Sequence, residues 1–214
     1  QTTSILIRGK AGMGKTTLAV ALALALARHG EGRVLYLSTE IAPTDVAWKL
    51  RQLKIPADKI AGWEDQTIEH DVLVQHLGVY EGASTDLPES KMEAALARVW
   101  EMVQQVPTVP PLRAVVIDAW SLVGAQPART LRSALLELIQ ALEARGISLL
   151  LVEEAPQKEM DWSSFLVDVI FELSWGQDPD TGKLLRQLSC LKSRYAVYQA
   201  GPFDYGLEGE EIAV

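Results

Sequence analysis

Residues 9–17 read Gly9-Lys10-Ala11-Gly12-Met13-Gly14-Lys15-Thr16-Thr17, a complete G-x-x-x-x-G-K-[ST] pattern. A short apolar run, Ile5-Leu6-Ile7, stands before it, and a long stretch rich in alanine and leucine follows. Strand, glycine-rich loop, helix is the context in which this pattern grips phosphate. Gly12 and Gly14 free the backbone to curl so that successive N–H groups face one anion, and a helix starting near Lys15 turns its positive end to the same place. Lys15 adds a point charge for the outer phosphates, and the Thr16 hydroxyl is placed to ligate Mg²⁺ beside them. A cradle made of Gly9, Ala11, Gly12, Met13, Gly14, Lys15, Thr16 and Thr17 implies a nucleoside triphosphate site. The competing reading is a glycine-rich turn that matches by chance.

Composition agrees with that start. The chain has 214 residues, 48% hydrophobic and 22% charged, enough to bury the core of one α/β domain over residues 1–214. No run reaches the roughly 18 apolar residues of a membrane span, so residues 18–27 are expected to be a helix packed on a sheet. A phosphate loop this close to residue 1 suggests that a short leading segment precedes the sequence given. Cys190 is the sole cysteine, which excludes a disulfide framework or a thiolate metal cluster and favours the reducing cytoplasm. His29, His70 and His76 show no ligand spacing. The net charge is −8 with the basic residues scattered, whereas gripping a nucleic-acid backbone requires clustered cations. Nucleic acid is therefore disfavoured as a partner, and no membrane contact is expected.

Strands alternate with helices along the chain. Expected strands cover residues 5–7, 34–39, 114–118 and 147–152, each an apolar run of the sort buried on both faces of a parallel sheet. Expected helices cover 15–28, closed by Gly30, then 45–53, and 131–144, stopped by Gly146. Ser90 and Glu93 read as a capping box for a helix whose apolar face is Met92, Leu96, Val99, Trp100 and Val103. The pattern weakens over 54–86, with a possible strand at 77–80. After Asp168, residues 169–173, the turn Asp178-Pro179-Asp180-Thr181-Gly182 and residues 184–191 read as a β-hairpin, and a last strand pair follows around Phe203 and Ile212.

Open parallel sheets bind ligands at the carboxyl ends of their strands, where the phosphate loop, Glu40 and Asp118 all fall. Asp118, after four apolar residues, suits Mg²⁺ binding opposite Thr16; otherwise it merely ends a strand and caps the next turn. Glu40 could orient and deprotonate an attacking water, or be a solvated charge at a strand end.

The loop, then Gly32-Arg33-Val34-Leu35-Tyr36-Leu37-Ser38-Thr39-Glu40, then Val115-Val116-Ile117-Asp118, then Leu191-Lys192-Ser193-Arg194, together resemble the RecA-like ATPases of the KaiC and RadA branch over nearly the whole chain. The resemblance implies a RecA-like P-loop NTPase fold: a mostly parallel sheet flanked by helices, with a C-terminal antiparallel β-hairpin extension. It further implies ATP with Mg²⁺, hydrolysis in a homo-oligomeric ring or filament, and room for a protein partner. By motif position Glu40 corresponds to the catalytic glutamate, and Lys192 with Arg194 to the pair that reaches a neighbouring subunit's γ-phosphate. Two residues apart on a strand, Lys192 and Arg194 share a side and could clamp developing charge. The plainer alternative is a solvated basic pair guarding an edge strand.

The chain also departs from the pattern. Relatives commonly carry two adjacent glutamates where this sequence has Glu40-Ile41, and often a serine where it has Ala119, which could slow turnover or make the site a nucleotide-state switch. After the strand at 147–152 comes Glu153-Glu154-Ala155-Pro156-Gln157-Lys158-Glu159-Met160-Asp161, a segment that would repel phosphates, beside Trp162. Lys10 follows the first loop glycine as in the deviant Walker class resembling ParA, MinD and ArsA, in which that lysine crosses a two-fold dimer. Against that class stand Ala11, where a glycine is usual, and Ser38-Thr39-Glu40, where an aspartate-rich switch is expected. A nucleotide-gated interaction module with little turnover is a further reading.

Overall fold

A computed structural model describes residues 2–29, 32–39, 42, 44–46, 48, 60–62, 72–77, 89–120, 129–154, 163–195, 197–208 and 211–213. Among these residues the strands are β1 (Ser4–Gly9), β2 (Arg33–Ser38), β3 (Ile60–Gly62), β4 (Val72–His76), β5 (Leu112–Asp118), β6 (Ser148–Glu154), β7 (Val169–Gln177), β8 (Leu184–Ser193), β9 (Phe203–Glu208) and β10 (Glu211–Ala213). The helices are α1 (Lys15–His29), α2 (Glu89–Gln105), α3 (Arg129–Glu143) and the single turn α4 (Ser163–Leu166). The strands form one ten-stranded sheet in the order β10-β9-β8-β7-β1-β6-β5-β2-β4-β3. From β7 to β3 it is parallel throughout, and β8, β9 and β10 then each run antiparallel to the strand before.

The central strands are unbroken apolar runs because both of their faces are covered. Val34, Tyr36, Val116 and Leu150 face one core with Leu18, Ala19, Ala23 and Leu24 of α1. Leu35, Leu37, Val115 and Leu151 face the other, with Leu96, Val99 and Val103 of α2 and Leu135, Leu138 and Leu142 of α3. The period-two alternation of a strand sorts neighbouring residues into these two cores. At about 1.5–3 kcal/mol for each fully buried large aliphatic side chain, the two cores hold the strand ends in place.

The capping expectation needs correction. Helix α2 begins at Glu89, so Ser90 stands inside the first turn and not at the cap. Gly146 does stop α3, at a φ of 75°: its N–H donates to the Glu143 carbonyl (2.9 Å) and the Ile147 N–H to that of Leu142 (3.0 Å), a pairing that closes the helix end. Of the possible strand at 77–80, residues 78–80 lie outside the described set and Leu77 follows the end of β4 at His76; β4 itself was not expected. Residues 45, 46 and 48 are helical, with 44, as expected for 45–53, of which 47 and 49–53 lie outside the described residues, as does Gly30. The hairpin is present, β7 pairing with β8 across a turn in which Asp178 Oδ1 accepts from the N–H groups of Asp180 (2.8 Å) and Thr181 (2.9 Å). The last strand pair is present as β9 and β10.

Candidate nucleotide site

β1 delivers the chain to the phosphate loop through a position that admits no side chain. A Cβ on Gly9 would lie 2.6 Å from the carbonyl oxygen of Leu173 on the adjacent β7. The loop then turns with Gly12 at φ 76° and Gly14 at φ 90°, both in the region that favours glycine. Between them the Met13 side chain is fully buried in the α1 core, pinning the loop from below. The Leu18 N–H donates to the Gly14 carbonyl at 2.9 Å, which makes Gly14 the cap, and the N–H groups of a helix's first turn point back past its cap, here towards the loop. No acidic residue occupies the first turn of α1, so the field there is positive. The Lys15 ammonium bridges the loop, donating to the carbonyls of Gly9 (2.8 Å) and Lys10 (2.9 Å).

Asp118 ends β5 next to that helix start. Its Oδ2 accepts from the Thr16 hydroxyl at 2.7 Å and also from the phenol of Tyr36 on β2. Asp118 is 7% exposed, and a buried carboxylate with two donors on one oxygen is fixed in orientation. Burial, chiefly, and then the charge and hydrogen bond of Asp118 hold the Tyr36 phenol well above its ordinary pKa, with the Thr16 hydrogen bond opposing; Tyr36 is thus an obligate donor. The ends of β2 and β5 are tied together: the Thr39 N–H donates to the Asp118 carbonyl (2.7 Å), the Ala119 N–H to the Thr39 hydroxyl (2.9 Å), and that hydroxyl to the Ala119 carbonyl (3.0 Å). Glu40, one residue past this tie, lies outside the described residues.

The donor chemistry at this point fits Mg²⁺. A hydroxyl and a carboxylate at the mouth of an amide cradle are hard oxygen ligands, few enough to leave most positions to water and phosphate. Among the described residues no group of three or more His, Cys, Asp or Glu side chains converges as a metal cage.

Lys192 and Arg194 are not brought to this loop. β8 runs back against the sheet, so Ser193 pairs with Val169 at the rim where the parallel strands begin. The six residues of β1, roughly 17–20 Å, separate that rim from the loop. The Lys192 ammonium donates to the carbonyls of Ser164 and Val167 (both 2.6 Å), and the Arg194 guanidinium to that of Phe165 (2.6 Å). Arg194 also lies 3.6 Å from Asp168, which receives the N–H (3.0 Å) and hydroxyl (2.7 Å) of Ser4. The pair does share a side, that of α4. β8 is not an edge strand, since residues 186–188 pair with β9, and Arg194 sits just past its end.

Three contributors escape sequence reasoning. Tyr36 and Thr39 lie within the quoted stretch, and strand alternation puts Tyr36 on the face of Asp118, but nothing in the sequence reports the reach of its phenol. Tyr205 on β9 donates its hydroxyl to the Met13 carbonyl inside the loop, and no local signal announces that contact. Of the acidic segment, Glu153 is buried and takes a hydrogen bond from Ser163 (3.3 Å), and Glu154 pairs in register with Gly9; residues 155–162, including Trp162, lie outside the described set.

The family model described as "ATPase: KaiC" matches residues 1–214. No curated protein sequence matches significantly. Among solved structures, the KaiC-like protein PH0186 from the hyperthermophilic archaeon Pyrococcus horikoshii OT3 superposes with a TM-score of 0.69 at 18% identity, over 98% of this chain and 88% of that one. That likeness bears on the fold, which is the RecA-like one expected.

Proposed function

The chain belongs to the KaiC ATPase family, and on that footing we propose that it binds ATP with Mg²⁺ and hydrolyses it in an assembly where a neighbouring copy completes each site. The observation that carries this reading is the 2.7 Å contact between the Thr16 hydroxyl and the Asp118 carboxylate at the amide-lined start of α1. Main-chain N–H groups of the loop and of the first turn of α1 would hold the phosphates, and Lys15 would leave the Gly9 and Lys10 carbonyls to pair with the outer ones. Mg²⁺ held beside Thr16 and Asp118 would neutralise charge on the β- and γ-phosphate oxygens. Glu40 orients a water for in-line attack on the γ-phosphorus and takes its proton, while the bond to the leaving ADP oxygen breaks.

The remoteness of Lys192 and Arg194 from their own loop supports a role in trans. Each would exchange its carbonyl contacts in and just after α4 for the γ-phosphate of an adjacent copy in a ring or filament. The family match favours this reading over the two-fold dimer of the deviant Walker class, leaving Lys10 an exposed loop residue.

The test combines calorimetric titration of Mg-ATP, phosphate release, and molar mass in solution with and without a slowly hydrolysed ATP analogue. Heat of binding, turnover and nucleotide-dependent growth in mass are expected. Folded protein that gives no heat with Mg-ATP overturns the proposal.

A further inference from the structure

Tyr205 belongs to the antiparallel extension, yet its hydroxyl donates to a main-chain carbonyl of the phosphate loop, that of Met13, across 192 positions of sequence. The ring is 8% exposed and packs in the same core as Met13 and Leu173. Burial pushes the Tyr205 phenol above its ordinary range, with Arg186 opposing, so the group is a lasting donor.

The accepting peptide is the informative part. Met13 lies between the two positive-φ glycines, and the Met13–Gly14 bond is an ordinary trans peptide. In a planar trans peptide the carbonyl and the following N–H point in opposite directions. Tying the Met13 carbonyl to β9 therefore aims the Gly14 N–H away from β9, at the end of the loop where α1 starts. A hydrogen bond accepted by the carbonyl also polarises the peptide and strengthens its N–H as a donor.

We propose that Tyr205 is a positioning residue for the nucleotide: its phenol presets the Gly14 N–H as a phosphate donor and thereby couples the C-terminal strands to occupancy of the loop. The inference rests on the reading that the loop binds Mg-ATP. A tyrosine that served packing alone would have no need of the loop carbonyl, and Tyr205→Phe separates the two roles because it keeps the ring and removes only the donor.

The experiment uses the full chain with Mg²⁺ and a slowly hydrolysed ATP analogue, followed by calorimetry and amide hydrogen exchange. Wild type binds, and Tyr205→Phe binds about 5–10-fold more weakly, the loss of one hydrogen bond. The Gly14 and Lys15 amides of the free variant exchange faster than in wild type, and turnover at saturating ATP stays within about twofold, so that KM moves and kcat does not. Because coupling is reciprocal, saturating nucleotide slows exchange in residues 203–208 of wild type, a measurement that needs no variant. Equal affinity in Tyr205→Phe, or unchanged exchange in 203–208, overturns the inference while leaving ATP binding intact. Failure of wild type to bind the analogue removes the proposed function and this inference with it.

Discussion

Tyr36 on β2 donates its phenolic hydrogen to the carboxylate of Asp118 on β5, side by side with the Thr16 hydroxyl on the same oxygen. Tyr36→Phe leaves a nearly buried carboxylate short of a donor and is expected to lower the unfolding free energy by about 1–3 kcal/mol in denaturant titration. The pH dependence has a definite sign. The folded-state pKa of Tyr36 is raised above the ordinary 10.0, so the unfolded chain releases the proton first; the associated stability is complete below about pH 10 and is lost as the pH climbs through the folded value. Tyr36→Phe should flatten the alkaline fall in stability above pH 10, and an unaltered fall would detach Tyr36 from it.

Asp118→Asn replaces a charged acceptor with an amide beside the Thr16 hydroxyl. Mg²⁺-dependent affinity for ATP should drop about tenfold or more, while binding measured without Mg²⁺ changes little. Titrations of both proteins with and without Mg²⁺ check this.

Glu40→Gln keeps the shape of the side chain and removes the base. Phosphate release is expected to fall by about 10²–10⁴-fold with Mg-ATP affinity retained. An unchanged rate would shift the reading towards a module that uses nucleotide as a switch.

Arg194→Ala should slow hydrolysis by about 10³-fold while each subunit still binds ATP. Mixing it with Glu40→Gln chains tests the geometry, because the Glu40→Gln copies offer an intact Lys192 and Arg194 to loops whose own Glu40 is intact. Recovery of activity in the mixture, absent from either variant alone, is the expected result.

Gly9→Ala places a Cβ within 2.6 Å of the Leu173 carbonyl on β7, an encounter with backbone that cannot swing away. Thermal or denaturant unfolding should show a loss of about 1–3 kcal/mol, with nucleotide affinity reduced as the loop is displaced.

The parts of the fold legible in sequence were those buried on both sides. Apolar runs at β1, β2, β5 and β6 leave little choice of structure, and the Asp178–Gly182 turn carries its own hydrogen-bonding chemistry. β4 escaped because Val72-Leu73-Val74 is a short apolar run followed by the polar Gln75 and His76, too brief to stand out from its surroundings. Ser90 has the right residue three positions later, but nothing local prevents the helix from starting at Glu89. In the candidate site, the residues at fixed spacing were legible as a motif, since Gly12, Gly14, Lys15 and Thr16 lie on one short stretch of loop and helix start. Tyr36, Thr39 and Tyr205 were not, because their partners are set by strand register and by the reach of a side chain across the sheet.

The reversal of β8 gives the molecule two unlike ends: the anion cradle opens on one, and Lys192 and Arg194 stand on the other. Where such ends meet head to tail, each added copy would still offer one cradle and one cationic end to the next. Under the proposed function, a head-to-tail series of copies would close into a circle or continue as a helix, and a closed circle would hold as many composite sites as it has members.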